Sequence, residues 1–170
     1  MFTIRLETDA DIPAVRTVNQ RAFETPAEAG LVDALRARRA GILSLVAEID
    51  GAVVGHIFFS PVDIRGAQGV FAAAGLAPMA VLPEFQNRGA GSALVRHGLD
   101  ELRRMCLPAV IVLGHPEFYP RFGFLPALRW GIRYPVEVPE AAFMALELQP
   151  GTLQGVSGVV YFQPEFDQLT

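Results

Sequence analysis

Apolar positions along the chain switch between alternation and helical spacing several times, and the switches lay out a sequence of elements. Thr3–Leu6 alternates and predicts a short strand. Thr8 or Asp9 then offers a helix cap, with Asp11 in the first turn and Pro13 early enough to be tolerated. Ile12, Val15, Val18 and Ala22 supply the apolar stripe of that helix. A second helix start follows at Thr25-Pro26-Ala27-Glu28, a capping box with proline at the first helical position. Leu31, Val32 and Leu35 form its apolar face, and Gly41 lies past its end. Residues 43–49 and 52–60 are apolar and rich in strand formers, and Asp50-Gly51 between them predicts a hairpin. Residues 61–69 read as a strand end and loop. Residues 70–81 form another mostly apolar run, in which Gly75 and Pro78 predict an edge, a bulge or a splayed pair.

From residue 82 a glycine-containing loop leads into a helix lined on one side by Leu94, Val95, Leu99, Leu102 and Met105. Residues 109–113 are continuously apolar, as in a strand buried on both faces. A turn and a short helical segment fill 114–124, and the tail adds strand candidates at 143–148 and 156–162. The plan is mixed α/β without repeats or a linker, so one domain is expected.

Composition narrows the chemistry. The chain has 170 residues, 51% hydrophobic and 19% charged, enough for a sizeable core and too little charged for a disordered chain. Its net charge of −4 and lack of a long basic run argue against a dedicated nucleic-acid binder. All 14 basic residues are arginine. The absence of lysine excludes a Walker-type phosphate loop, a Schiff-base or pyridoxal enzyme and a Ser-x-x-Lys acyl enzyme. Cys106 is alone and reads as a buried structural thiol, and His56, His97 and His115 lack metal-ligand spacing, so no metal is expected. Charges in residues 1–9 break any signal-peptide core, and no apolar run reaches spanning length. A cytoplasmic protein without a membrane partner is the expectation.

Gln86-Asn87-Arg88-Gly89-Ala90-Gly91 follows a strand and opens a helix. Its glycines let the backbone approach a ligand, and the helix start presents unpaired N–H groups and a positive dipole end suited to a pyrophosphate. Arg88 adds a fork of charge-assisted donors.

The stretch from Ala77 to Gly91 resembles the acetyl-CoA signature of the GNAT N-acetyltransferase superfamily. Phe118-Tyr119-Pro120-Arg121-Phe122-Gly123-Phe124 is similar to the later Phe-Tyr-x-x-x-Gly-Phe block of that superfamily. The wording Gly-His-Pro-Glu-Phe-Tyr and the long tail look like its YhbS-type branch. The likeness spans residues 4–124, with a β-rich tail over 125–170. It implies a mixed, mostly antiparallel sheet with a splayed parallel strand pair, flanked by helices. It further implies acetyl-CoA as cosubstrate, with backbone groups of Met79, Ala80 and Val81 meeting the pantetheine arm near Val112. Gln86, Asn87, Arg88, Gly89, Ala90, Gly91 and Ser92 would form the cofactor loop, the N–H groups of 87–92 holding the pyrophosphate. Tyr119 matches the tyrosine aimed at the thioester sulfur, and a primary amine would attack directly. One departure stands out: residues 110–115 lack the asparagine that many relatives carry there.

The general base is not ordered by sequence. Glu24, Glu28, His56 and Glu84 are candidates alongside water, although Glu28 also reads as a capping residue and His56 as a strand histidine. His115 borders the cofactor-side turn, and His97 reads as a solvated helix residue. Phe58, Phe59, Phe122 and Phe124 read as core, while Trp130 and Tyr134 follow the second block as candidates for the floor of an acceptor site, which their position alone does not establish. The rival reading is an acyl-CoA-binding sensor or interaction module without turnover. A homodimer through the edge of the terminal strands is a further expectation.

Overall fold

Nine strands and three helices are present in the computed structural model, which describes residues 1–169. The chain divides into two units, each assembled from separated segments: 1–59, 77–100 and 164–169 in the first, 60–76 and 101–163 in the second.

In the first unit β1 (Thr3–Leu6) and β2 (Leu43–Ile49) are antiparallel, and β2 is antiparallel to the opening of β3 (Ala52–Gly66). Asp50 and Gly51 both have positive φ, 50° and 78°, as the predicted two-residue hairpin requires. Helices α1 (Ile12–Phe23) and α2 (Ala27–Ala37) pack on one face of these strands. Val15, Leu31, Val32 and Leu35 close over Val46 and Phe58 there. The opposite face meets helix α3 (Ala90–Arg104): Leu94 lies beside Gly55, and Gly98 against the ring of Phe59. Thr8 starts the α1 region as expected, its N–H donating to the Asp11 carboxylate at 2.7 Å and its hydroxyl at 3.1 Å. The Arg5 guanidinium holds the same carboxylate at 2.7 and 2.9 Å and keeps it far below the usual carboxylate range. Thr25 and Glu28 meet side chain to side chain at 2.8 Å rather than through the expected backbone cap, and α2 begins one residue later than predicted.

The second unit carries the rest of β3, β4 (Gly69–Val81) as far as Leu76, β5 (Ala109–Leu113), β6 (Leu125–Pro126), β7 (Ile132–Arg133), β8 (Phe143–Glu147) and β9 (Gly158–Tyr161). Its strand order is β3-β4-β5-β8-β6, with β9 on β3 and β7 on β9. β4 and β5 are the parallel pair, in register at Ala74↔Val110 and Gly75↔Ile111. All five residues of β5 pair with β8, whereas Val112 and Leu113 have no partner in β4 among the described residues. That is the splayed parallel pair implied by the resemblance. Val62, Ile64, Ile111, Ala145 and Val160 are at the centre of this unit's core.

Three expectations are corrected. Residues 61–66 are strand rather than loop, because β9 pairs with Asp63, Ile64 and Arg65 and the Pro61 carbonyl accepts the Gln163 amide at 2.9 Å. Met105 is exposed, since α3 ends at Arg104 before the stripe reaches it. Cys106 is exposed too, placed by a left-handed φ of 62° in the turn after α3. The outer edges of the terminal strands are partly covered: β6 pairs with Met144 and Ala145 of β8, and β7 with Gly158 and Val159 of β9.

Candidate functional site

The loop after β4 is built by local chemistry. Pro83–Phe85 makes one 3-10 turn, and the Gln86 amide folds back to donate to the Val81 carbonyl at 3.0 Å. Asn87 and Gly89 then take positive φ values, 62° and 92°, which turn the chain into α3. The Ala93 N–H donates to the Gly89 carbonyl at 3.0 Å, so the N–H groups of Ala90, Gly91 and Ser92 precede the first intrahelical bond. A Cβ placed on Gly89 would meet no atom within 4 Å. The Cβ side of Gly89 is therefore open, and the dipole of a four-turn helix adds positive potential at the helix start. Arg88 is exposed, its guanidinium 5.5 Å from the Phe85 ring centroid. Of the expected cofactor residues, Met79, Ala80, Val81 and the whole 86–92 loop belong to the first unit. Ala80 and Val81 are buried in β4, and Met79 is half-buried.

Tyr119 belongs to the second unit, on a 3-10 turn over Tyr119–Phe122. Its N–H and that of Phe118 donate to the His115 carbonyl, which explains that loop residue's place while its side chain stays exposed. The Tyr119 ring packs edge-on against Phe118 at 5.0 Å and Phe124 at 5.6 Å. The residue is only 6% exposed, yet its hydroxyl makes no hydrogen bond among the described residues. Burial pushes the phenol up to about 12. A Cβ on Gly114 would lie 2.5 Å from the tyrosine ring. Gly114→Ala must therefore displace Tyr119. We expect it to lower turnover about as far as removal of the hydroxyl while the protein stays folded, measured by thiol release beside a thermal melt.

The base candidates separate. His56 is fully buried on β3, with Nε2 2.9 Å from the Ser44 hydroxyl and Nδ1 3.2 Å from the Asn19 amide. Asn19 Nδ2 also donates to the Val15 carbonyl, which makes His56 Nδ1 an acceptor and puts the ring proton on Nε2. Burial first, and the Arg36 charge second, lower this histidine to about 3, despite Glu7 3.9 Å away. Glu84 is exposed and paired with Arg21 at 3.0 Å, and Glu28 is held by Thr25. Glu24 is exposed at the end of α1 with a φ of 59°. The described residues contain no group of three or more His, Cys, Asp or Glu side chains placed to hold a metal, and no helix among them is long and apolar enough to cross a membrane.

Residues 3–127 match the acetyltransferase (GNAT) domain family. The chain belongs to the GNAT acetyltransferase family. It is 38% identical to the N-acetyltransferase YhbS of Escherichia coli, whose crystal structure in complex with CoA superposes with a TM-score of 0.92 over 98% of this chain and 92% of that one. It is 37% identical to a GNAT family acetyltransferase from Brucella melitensis in complex with acetyl-CoA, with a TM-score of 0.81 over 98% and 99% of the two chains. The N-acetyltransferase YjhQ of Escherichia coli (strain K12) is 41% identical over 164 residues, 91% of this chain and 90% of that protein. The GNAT reading of the two sequence blocks is thus correct, as are the mixed sheet and its parallel pair.

Proposed function

We propose that this protein transfers an acetyl group from acetyl-CoA to a primary amine by direct attack. The family membership supports the reaction class, and relatives in complex with CoA and acetyl-CoA support the cosubstrate. The observation that carries the reading to this chain is the loop at Gly89, whose Cβ side is open and which leads into a helix whose first N–H groups precede the first intrahelical bond. Those groups and Arg88 suit a diphosphate. Backbone groups of Met79, Ala80 and Val81 would meet the amide-bearing arm, as an added strand would.

Acetyl-CoA supplies an activated thioester. The neutral amine nitrogen forms a bond to the acetyl carbon and gives up one N–H proton to water, the C–S bond breaks, and the sulfur leaves with the electron pair. Tyr119 donates its proton to that sulfur and is reprotonated from solvent. A phenol at about 12 is fully protonated at neutral pH and ready to donate. Transfer to a free thiolate of pKa ~8.5 would cost roughly 5 kcal/mol. The desolvation that raises the phenol raises the thiol as well, which narrows the gap. With His56 enclosed and Glu28 and Glu84 engaged, the incoming ammonium releases its proton to water.

Calorimetric titration with CoA, followed by thiol release against a panel of amines, tests this reading. Gly89→Ala should weaken CoA binding about tenfold, because a non-glycine residue in left-handed backbone costs roughly 1–2 kcal/mol. No CoA binding at concentrations on the order of millimolar would sink the reading. CoA binding without amine-dependent thiol release would favour the non-catalytic sensor.

A further inference from the structure

The second unit holds a pocket of about 290 Å³ made by residues 128–143, wholly outside the segment that matches the GNAT family. Leu128, Ile132, Tyr134, Val138 and Phe143 give it apolar walls, and the Tyr134 and Phe143 rings meet edge-on at 5.5 Å. Three charged side chains share the lining: Glu137, Glu140 and Arg133. All three are exposed, and none is in an ion pair among the described residues. Two free carboxylates against one guanidinium leave the lining net negative. The wall is tied to the strand end that packs on the proposed acid: Phe143 is in register with Leu113, the Ala142 carbonyl accepts the Gly114 N–H at 2.9 Å, and Gly114 lies against Tyr119.

We propose that this pocket takes the acceptor, and that the acceptor is a small monoamine with an apolar body, such as an arylalkylamine. The assignment rests on the acetyl-transfer reading above. The volume lies at the small end of ligand sites and accommodates one ring and a short chain. Aromatic and aliphatic walls favour an apolar body and leave extra ammonium or hydroxyl groups unpaired, which disfavours polyamines and amino sugars. Carboxylates among those walls favour a cation over a neutral or anionic isostere.

Phenethylamine, 2-phenylethanol, 3-phenylpropionate and spermidine are suitable probes, titrated into the full chain and followed by backbone amide shifts and thiol release. Phenethylamine should bind saturably, with shifts centred on Tyr134 and Phe143, and be acetylated with a higher kcat/KM than spermidine. Glu137→Gln with Glu140→Gln, both at exposed positions, should weaken it by roughly tenfold, as two partly screened ion contacts allow. Val138→Trp, which fills the pocket, should abolish phenethylamine binding while CoA still binds. If CoA binds and spermidine is acetylated while phenethylamine neither binds nor reacts, the pocket assignment fails alone. If CoA does not bind, or no amine is acetylated, the transfer reading fails and takes the assignment with it. Equal binding of 2-phenylethanol and phenethylamine would overturn the charge argument.

Discussion

Tyr119→Phe is expected to lower kcat by about 100-fold to 10,000-fold, the range a positioned general acid contributes. Its CoA affinity should change little, because the proposed grip on the cofactor is the loop at Gly89 and not the phenol. Stability should hardly move: the ring, packed on Phe118 and Phe124, is retained, and the hydroxyl has no protein partner to lose. Single-turnover thiol release, CoA calorimetry and a urea melt on the same preparation separate these effects. A kcat equal to that of the parent would remove Tyr119 from the chemistry. The position of the ring matters as much as its hydroxyl, so Gly114→Ala and Tyr119→Phe should not add their losses.

Acidification from pH 7 to pH 5 is expected to cost about 2 kcal/mol of folding stability through His56 alone. In the unfolded chain this histidine takes up its proton near 6.5, whereas in the fold burial and Arg36 lower it to about 3. A group depressed on folding leaves stability intact above the unfolded value. Below 6.5 the unfolded state binds a proton that the native state refuses, and stability falls continuously until about 3. His56→Gln should flatten the slope between pH 7 and 5 even if its melt is lower at both. The test is urea unfolding of both proteins at the two pH values. An unchanged slope in the variant would show that His56 is not the group responsible. Near and below the ordinary carboxylate range a second loss begins, as the unfolded chain takes up a proton on Asp11 that the native carboxylate, held by Arg5 and Thr8, refuses.

Local patterns carried much of this structure. The hairpin at Asp50-Gly51, the stripe Leu31-Val32-Leu35 and the buried run of β5 each depend on neighbours within a few residues, and each lies where the pattern indicates. The turn at Gly89 was legible for the same reason, since a glycine at left-handed φ before a helix is a local requirement. The second half of β3 was not, because its partner β9 comes about a hundred residues later. The short strands β6 and β7 also went unread: two residues carry no periodicity. Cys106 misled because an apolar neighbourhood in sequence does not say where a helix stops.

Residue order by itself determined the element plan, the anion-suited turn at Gly89 and the exclusion of lysine chemistry, because these follow from chain geometry and side-chain inventory. Only tertiary structure decided which groups are free to react. It enclosed His56 between Asn19 and Ser44, turned Gln86 onto Val81, left the Tyr119 hydroxyl unpartnered and gathered residues 128–143 into a pocket. Burial and hydrogen-bond partnership arise from contacts distant in sequence, and those contacts set the charge state and availability of a side chain.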